Sequence, residues 1–212
     1  MKNTFITIIP ISGASFKKNH FEAADGCNVK SSGREVLFPI TAVIEQVQNE
    51  DKNEGLDIES KVIAVRFKTA NSDNNLELLK QEIAEIGVSK VEVVDIPIEE
   101  NQDYQTGVNI FMRVLNEIEE DTDVYACVTF GTKIMSLMIS YLLDSLAYLR
   151  KNVVVQGVYY MEVPRINDKP LGTHYLYDVT NLLYLNNLVK SVSDLHVDDP
   201  QEFLQRLVDF DA

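Results

Sequence analysis

Val124-Tyr125-Ala126-Cys127-Val128-Thr129-Phe130-Gly131-Thr132-Lys133, running straight on into Ile134 to Arg150, is the stretch on which the fold turns. Its first residues form an apolar run of strand length. Its last seventeen are rich in Ile, Leu and Met and have the length of a helix. A strand that becomes a helix through so short a turn is half of a βαβ unit, in which the next strand runs parallel to the first.

The same pattern repeats on either side. Phe5 to Ile9, Val62 to Val65, Val91 to Ile96 and Val153 to Tyr160 read as further strands, with Pro10 and Pro97 as stops. Between them, Ile40, Val43, Ile44 and Val47 have helical spacing after Pro39. Leu76, Leu79, Ile83 and Ile86 do so before Gly87, with Ser72 or Asp73 as cap, and Val108, Phe111, Met112, Leu115 and Ile118 follow. Residues 48–60 read as a charged connector, and 12–34 as a long polar stretch with no period. Strict alternation predicts an α/β protein: a doubly wound, mostly parallel Rossmann-like sheet of five parallel strands, with helices on both faces. Turn residues over 164–173 and the run Tyr175 to Val179 predict a sixth strand in a hairpin. Leu182 to Val192, and a new start at Asp199-Pro200-Gln201-Glu202, predict a C-terminal helical appendage. The chain thus divides into a Rossmann-like unit over 1–180 and a helical linker, or the start of an output region, over 181–212.

Charge narrows the ligand. The 212 residues carry 19 Lys and Arg against 33 Asp and Glu, a net charge of −14. No broad basic surface for DNA or RNA is to be expected from that balance, and none for an anionic membrane. Cys27 and Cys127 form no CxxC, which suits a reduced, cytoplasmic protein. The N-terminal apolar run is too short for a signal peptide, and Ile134 to Leu149 is too short and too interrupted to span a bilayer.

Doubly wound sheets bind ligands beyond the carboxyl ends of their strands, where the strand order reverses. With the common order 3-2-1-4-5, that point lies between strands one and four, so the loops at 10–35 and 129–133 are the candidates. Thr129-Phe130-Gly131-Thr132-Lys133 offers a glycine for close approach, hydroxyls at Thr132 and Ser136, and the free amides of a helix start. A cation such as Lys133 in a first helical turn opposes the helix dipole unless an anion binds there; the alternative is that it extends into solvent. The first loop carries Ser12, Gly13, Ser15, Lys17, Lys18 and His20, and residues 11–35 hold four basic against three acidic residues. That balance is either a seat for a small polyanion or an ordinary polar loop. No dinucleotide fingerprint, P-loop or GxSxG occurs, and no cofactor is expected. His20, His174 and His196 lack metal-ligand spacing, and the acidic runs read as solvated faces. Cys127, Met135 and Met138 read as core. Helix four is apolar nearly all round. This implies a second buried contact, either a two-fold homodimer or cover by residues 182–209.

Thr129 to Ser136 after strand four, the short first strand with its Ser/Gly loop, and Tyr177-Asp178-Val179-Thr180 together resemble the CRISPR-associated Rossmann fold (CARF) domains over about residues 1–180. The resemblance implies a homodimeric sensor of cyclic oligoadenylate, a tetra- or hexa-adenylate ring, in type III CRISPR antiviral defence. The ring would lie across the two-fold axis, and binding would control an attached effector. It implies ligand contacts at Ser12, Gly13, Thr129, Gly131, Thr132 and Lys133; Ser15, Lys17, Phe130 and Ser136 lie in the same two loops. Some members cleave the ring without metal, and the alternative reading is such a ring nuclease, with Lys133 and Thr132 or Ser12 stabilising the developing charge.

Overall fold

Strands buried on both faces need apolar side chains at nearly every position, and the central strands have them: Ile6, Ile8, Val62, Ile63, Ala64, Val65, Val124 and Ala126 are all essentially inaccessible. The computed structural model describes residues 2–13, 18–30, 33–88, 90–101, 103–162, 165–166, 169–170, 174–195 and 197–210. In chain order the elements are β1 (Lys2–Ile8), β2 (Phe21–Ala23), α1 (Pro39–Asn53), β3 (Ser60–Phe67), α2 (Ala70–Glu85), β4 (Val91–Ile98), α3 (Tyr104–Glu117), β5 (Thr122–Cys127), α4 (Lys133–Leu149), β6 (Val153–Glu162), β7 (Arg165–Ile166), β8 (Lys169–Pro170), β9 (His174–Asp178), α5 (Asn181–Asp194) and α6 (Pro200–Phe210).

The main sheet has seven strands in the order β2-β9-β6-β5-β1-β3-β4. β4, β3, β1, β5 and β6 are parallel neighbours, the expected 3-2-1-4-5 arrangement. β9 pairs antiparallel with β6 as the expected hairpin strand. The fold is Rossmann-like. Alternation along β1 splits the core: Phe5 and Ile9 pack with Ile40, Val43, Ile44 and Leu79 of α1 and α2. Ile6 and Ile8 pack with Ile110 and Val114 of α3 and with Ile139 and Leu142 of α4 on the other face. Burying each such aliphatic side chain contributes about 1.5–3 kcal/mol.

Four local readings change. The polar stretch contains β2, which adds a short parallel strand to β9; it has no period, and the buried Phe21 anchors it. α1 continues through residues read as connector, because Gln48 on its inner side is buried and donates to Ser60 Oγ at 2.9 Å. The cap of α2 is Thr69, whose hydroxyl accepts from Ser72 N at 3.2 Å, so Ser72 and Asp73 lie inside the helix. β4 runs through Pro97, because it is the edge strand, where a missing N–H is tolerated.

α5 packs beside α4, with an ion pair between Lys190 and Asp144. Leu137 and Tyr141 of α4 line a groove with Leu182, Leu183 and Asn186 of α5, yet Leu137 and Tyr141 remain 51% and 58% exposed. The appendage therefore covers only part of the outer side of α4. α6 starts as its sequence predicts, with Asp199 Oδ1 accepting from Glu202 N at 2.9 Å. Among the described residues, no helix is long and apolar enough to cross a membrane.

Candidate functional site

The strand order places the switch point between β1 and β5, so the loops leaving them emerge side by side at the carboxyl edge of the sheet. Ser12 and Gly13 leave β1 there. Thr129, Phe130, Gly131, Thr132, Lys133 and Ser136 form the turn after β5 and the first turn of α4. Ser15 and Lys17 lie outside the described residues, as does His196.

The turn after β5 is built from its own residues. Gly131 has φ +87°, and a Cβ added there would run into Ile8 Cγ2 and lie 3.1 Å from Met135 Sδ. Glycine is thus required twice, by the left-handed backbone and by the close approach to β1. Thr132 is the N-cap of α4, its hydroxyl accepting from Met135 N at 3.4 Å. Thr129 Oγ1 accepts from Met161 N at 2.9 Å, which ties the turn to β6. Ser136 donates to Val128 O at 3.2 Å. Phe130 packs edge-on against Phe38. Thr129, Phe130 and Ser136 are thus engaged in shaping the turn, while Gly131 and Lys133 are exposed on its rim. Among the described residues, Lys133 has no ion-pair partner.

The loop after β1 is built from outside. Asn75 of α2, buried, donates to Pro10 O at 2.8 Å and to Ser12 O at 3.0 Å. Further along, Lys18 pairs with Glu85 of α2 at 2.8 Å and Arg34 with Glu45 of α1 at 3.1 Å. Two of the four basic residues that set the local charge thus face carboxylates of neighbouring helices. At the end of the connection, Glu82 of α2 accepts from Leu37 N and Thr41 Oγ1 at 3.0 Å and from Phe38 N at 3.3 Å. Burial raises its carboxyl above the ordinary 4.5, against the pull of these donors. Ser72, Asn75, Glu82 and Glu85 lie on one side of α2 and, among the described residues, hold the connection at Pro10, Ser12, Lys18, Leu37, Phe38 and Thr41. The sequence reading named Ser72 only as a helix cap and did not single out Asn75, Glu82 or Glu85. The available signal was polar residues, Asn75 and Glu82, interleaved with the apolar stripe Leu76, Leu79 and Ile83.

Other sequence candidates fall into structural roles. Cys127 is buried, and its thiol is pushed up by desolvation. Met135 is buried in the core, and Met138 packs against it beside Gly107. His20 is exposed. His174 is buried in β9 with its Nδ1 unpaired among the described residues, and burial lowers its pKa. Asp178 accepts from Thr180 N at 2.9 Å, and Thr180 Oγ1 accepts from Val158 N at 2.7 Å, which joins the end of β9 to β6. Among the described residues, no group of three His, Cys, Asp or Glu is placed to hold a metal ion.

The site is therefore an open rim of two neighbouring loops. Among the described residues it offers backbone amides, the Ser12 hydroxyl and the unpaired Lys133 ammonium, a set suited to binding an anion. No family model matches the chain, and no curated protein matches it.

Proposed function

We propose that the chain is a CARF-type sensor that binds cyclic oligoadenylate across a homodimer and controls an attached effector in type III CRISPR defence. The observation that carries the reading is the juxtaposition of the Ser12-Gly13 loop with the Gly131-Thr132-Lys133 turn at the switch point between β1 and β5. A cyclic tetra- or hexa-adenylate is a compact polyanion. A pair of loops that includes Lys133, without an ion-pair partner among the described residues, meets it without a basic surface elsewhere, which agrees with a net charge of −14. The exposed apolar residues Leu137 and Tyr141 of α4 and Leu182 and Leu185 of α5 support a second copy meeting the chain on this side. The helical residues 181–212 would carry the signal onward.

Calorimetric titration with cyclic tetra-adenylate and cyclic hexa-adenylate tests the reading. One ring bound per two chains is the expected result, and no heat with either ring overturns it. The exposed Lys133, beside the Thr132 turn, is what favours the second reading, a metal-independent ring nuclease. Linear products formed in EDTA and lost in Lys133→Ala would favour the nuclease, and an intact bound ring the sensor.

A further inference from the structure

A buried carboxamide with both protons spent on one loop acts as an orientation device. Asn75 is 4% exposed, and its single Nδ2 donates to two carbonyls two residues apart, Pro10 O at 2.8 Å and Ser12 O at 3.0 Å. The Ser72 hydroxyl, fully buried, adds a longer bond of 3.4 Å to Pro10 O. All peptides among the described residues are trans. In a trans peptide the N–H points opposite to the C=O of the same plane. Pinning the Pro10 and Ser12 carbonyls on α2 therefore turns the Ile11 and Gly13 amides away from it. Among the described residues, neither amide has a hydrogen-bond partner. Two free N–H groups presented from alternate peptides make a concavity for an anion.

We propose that Asn75 is a positioning residue which holds the Ile11 and Gly13 amides against a phosphate of the bound ring. The proposal rests on the sensor reading, which supplies the ring, and adds a third element, α2, to the two loops. Asn75 does not touch the ligand. It acts through the peptide planes of residues 10–13.

Ring titrations of three proteins test it, with the thermal midpoint of each measured alongside: wild type, Asn75→Leu, which keeps the side-chain shape but donates nothing, and Gln48→Leu. The last loses a buried bond to Ser60 at the opposite end of the sheet. Asn75→Leu is expected to bind roughly 10- to 100-fold more weakly, the effect of losing amide bonds to a charged group. Gln48→Leu should bind like wild type. Ring affinity of Asn75→Leu within about twofold of wild type overturns the proposal. A second readout needs no variant. In amide NMR spectra of the ¹⁵N-labelled wild type, the Ile11 and Gly13 resonances should move downfield as the ring is added. If the Thr132 and Lys133 amides move and those two do not, the role of Asn75 is overturned and the sensor reading stands. If no amide moves and no heat is seen, the sensor reading falls and this proposal with it.

Discussion

The two loops at the carboxyl edge reach their shapes by opposite routes. The turn after β5 is held by residues within and next to it: Gly131 against Ile8, Thr132 as cap, Thr129 on Met161. The connection after β1 is held from α2, through Ser72, Asn75, Glu82 and Glu85. A clamped loop inherits its geometry from a helix more than forty residues away in the chain. The difference teaches that one half of the candidate site is set by its own residues and the strands beside it, and the other by a helix on the face of the sheet.

The sharpest break of the self-built turn is Gly131→Ala. A left-handed non-glycine residue costs about 1–2 kcal/mol, and overpacking against Ile8 adds a similar amount, about 3 kcal/mol together. Urea unfolding measures it. The penalty should shrink when Gly131→Ala is made in an Ile8→Ala background, since only the steric part is relieved. An unchanged penalty would mean that backbone conformation alone dictates the glycine.

Next in size is the clamp. Glu82→Ala leaves the part-buried Leu37 and buried Phe38 amides without their acceptor and should cost about 2–3 kcal/mol. Its pH dependence follows from the raised pKa. The folded protein holds a proton on Glu82 above pH 4.5 that the unfolded chain has released. The group's contribution is therefore fully present below pH 4.5 and is lost as pH rises through its folded value. The Glu82→Ala penalty should accordingly grow as pH is lowered toward 4.5. A penalty that instead grows with rising pH would show that the donors outweigh desolvation.

Smaller still is Thr132→Ala, a lost N-cap worth about 1 kcal/mol, which Thr132→Asp should restore. Failure of the aspartate to restore stability would move the hydroxyl from helix capping to some other role. The smallest effect belongs to Lys18→Ala. Its ion pair with Glu85 is solvent-exposed, and the urea midpoint should match wild type within error. A clear loss there would make the middle of the connection as tightly clamped as its ends.

Much of the fold was legible because its information is periodic. Five apolar runs alternating with helical patterns call for a mostly parallel sheet with right-handed crossovers, and the observed order is the common 3-2-1-4-5. The glycine and helix start of the turn after β5 were legible because they follow the strand within a few residues, while the capping role of Thr132 came from the structure. β2 was missed because three residues carry no period, and the edge passage of β4 through Pro97 because Pro is a stop only where its N–H is needed. The long α1 was missed because its later residues are polar on the face that reaches Ser60. The α2 clamp was missed because nothing near residues 10–38 names its partners.

The amino-acid sequence alone thus determined the class of fold, the place of the Gly131 turn at the start of a helix and, with the common strand order, the switch point, since hydrophobic period and glycine act over a few residues. Only the tertiary structure decided where the β1 connection lies, which basic residues are already paired, and that Asn75 and Glu82 are a buried donor and a buried acceptor rather than surface polar residues. Those outcomes depend on which helix a loop meets across space, and pairing across space leaves no periodic mark in the chain.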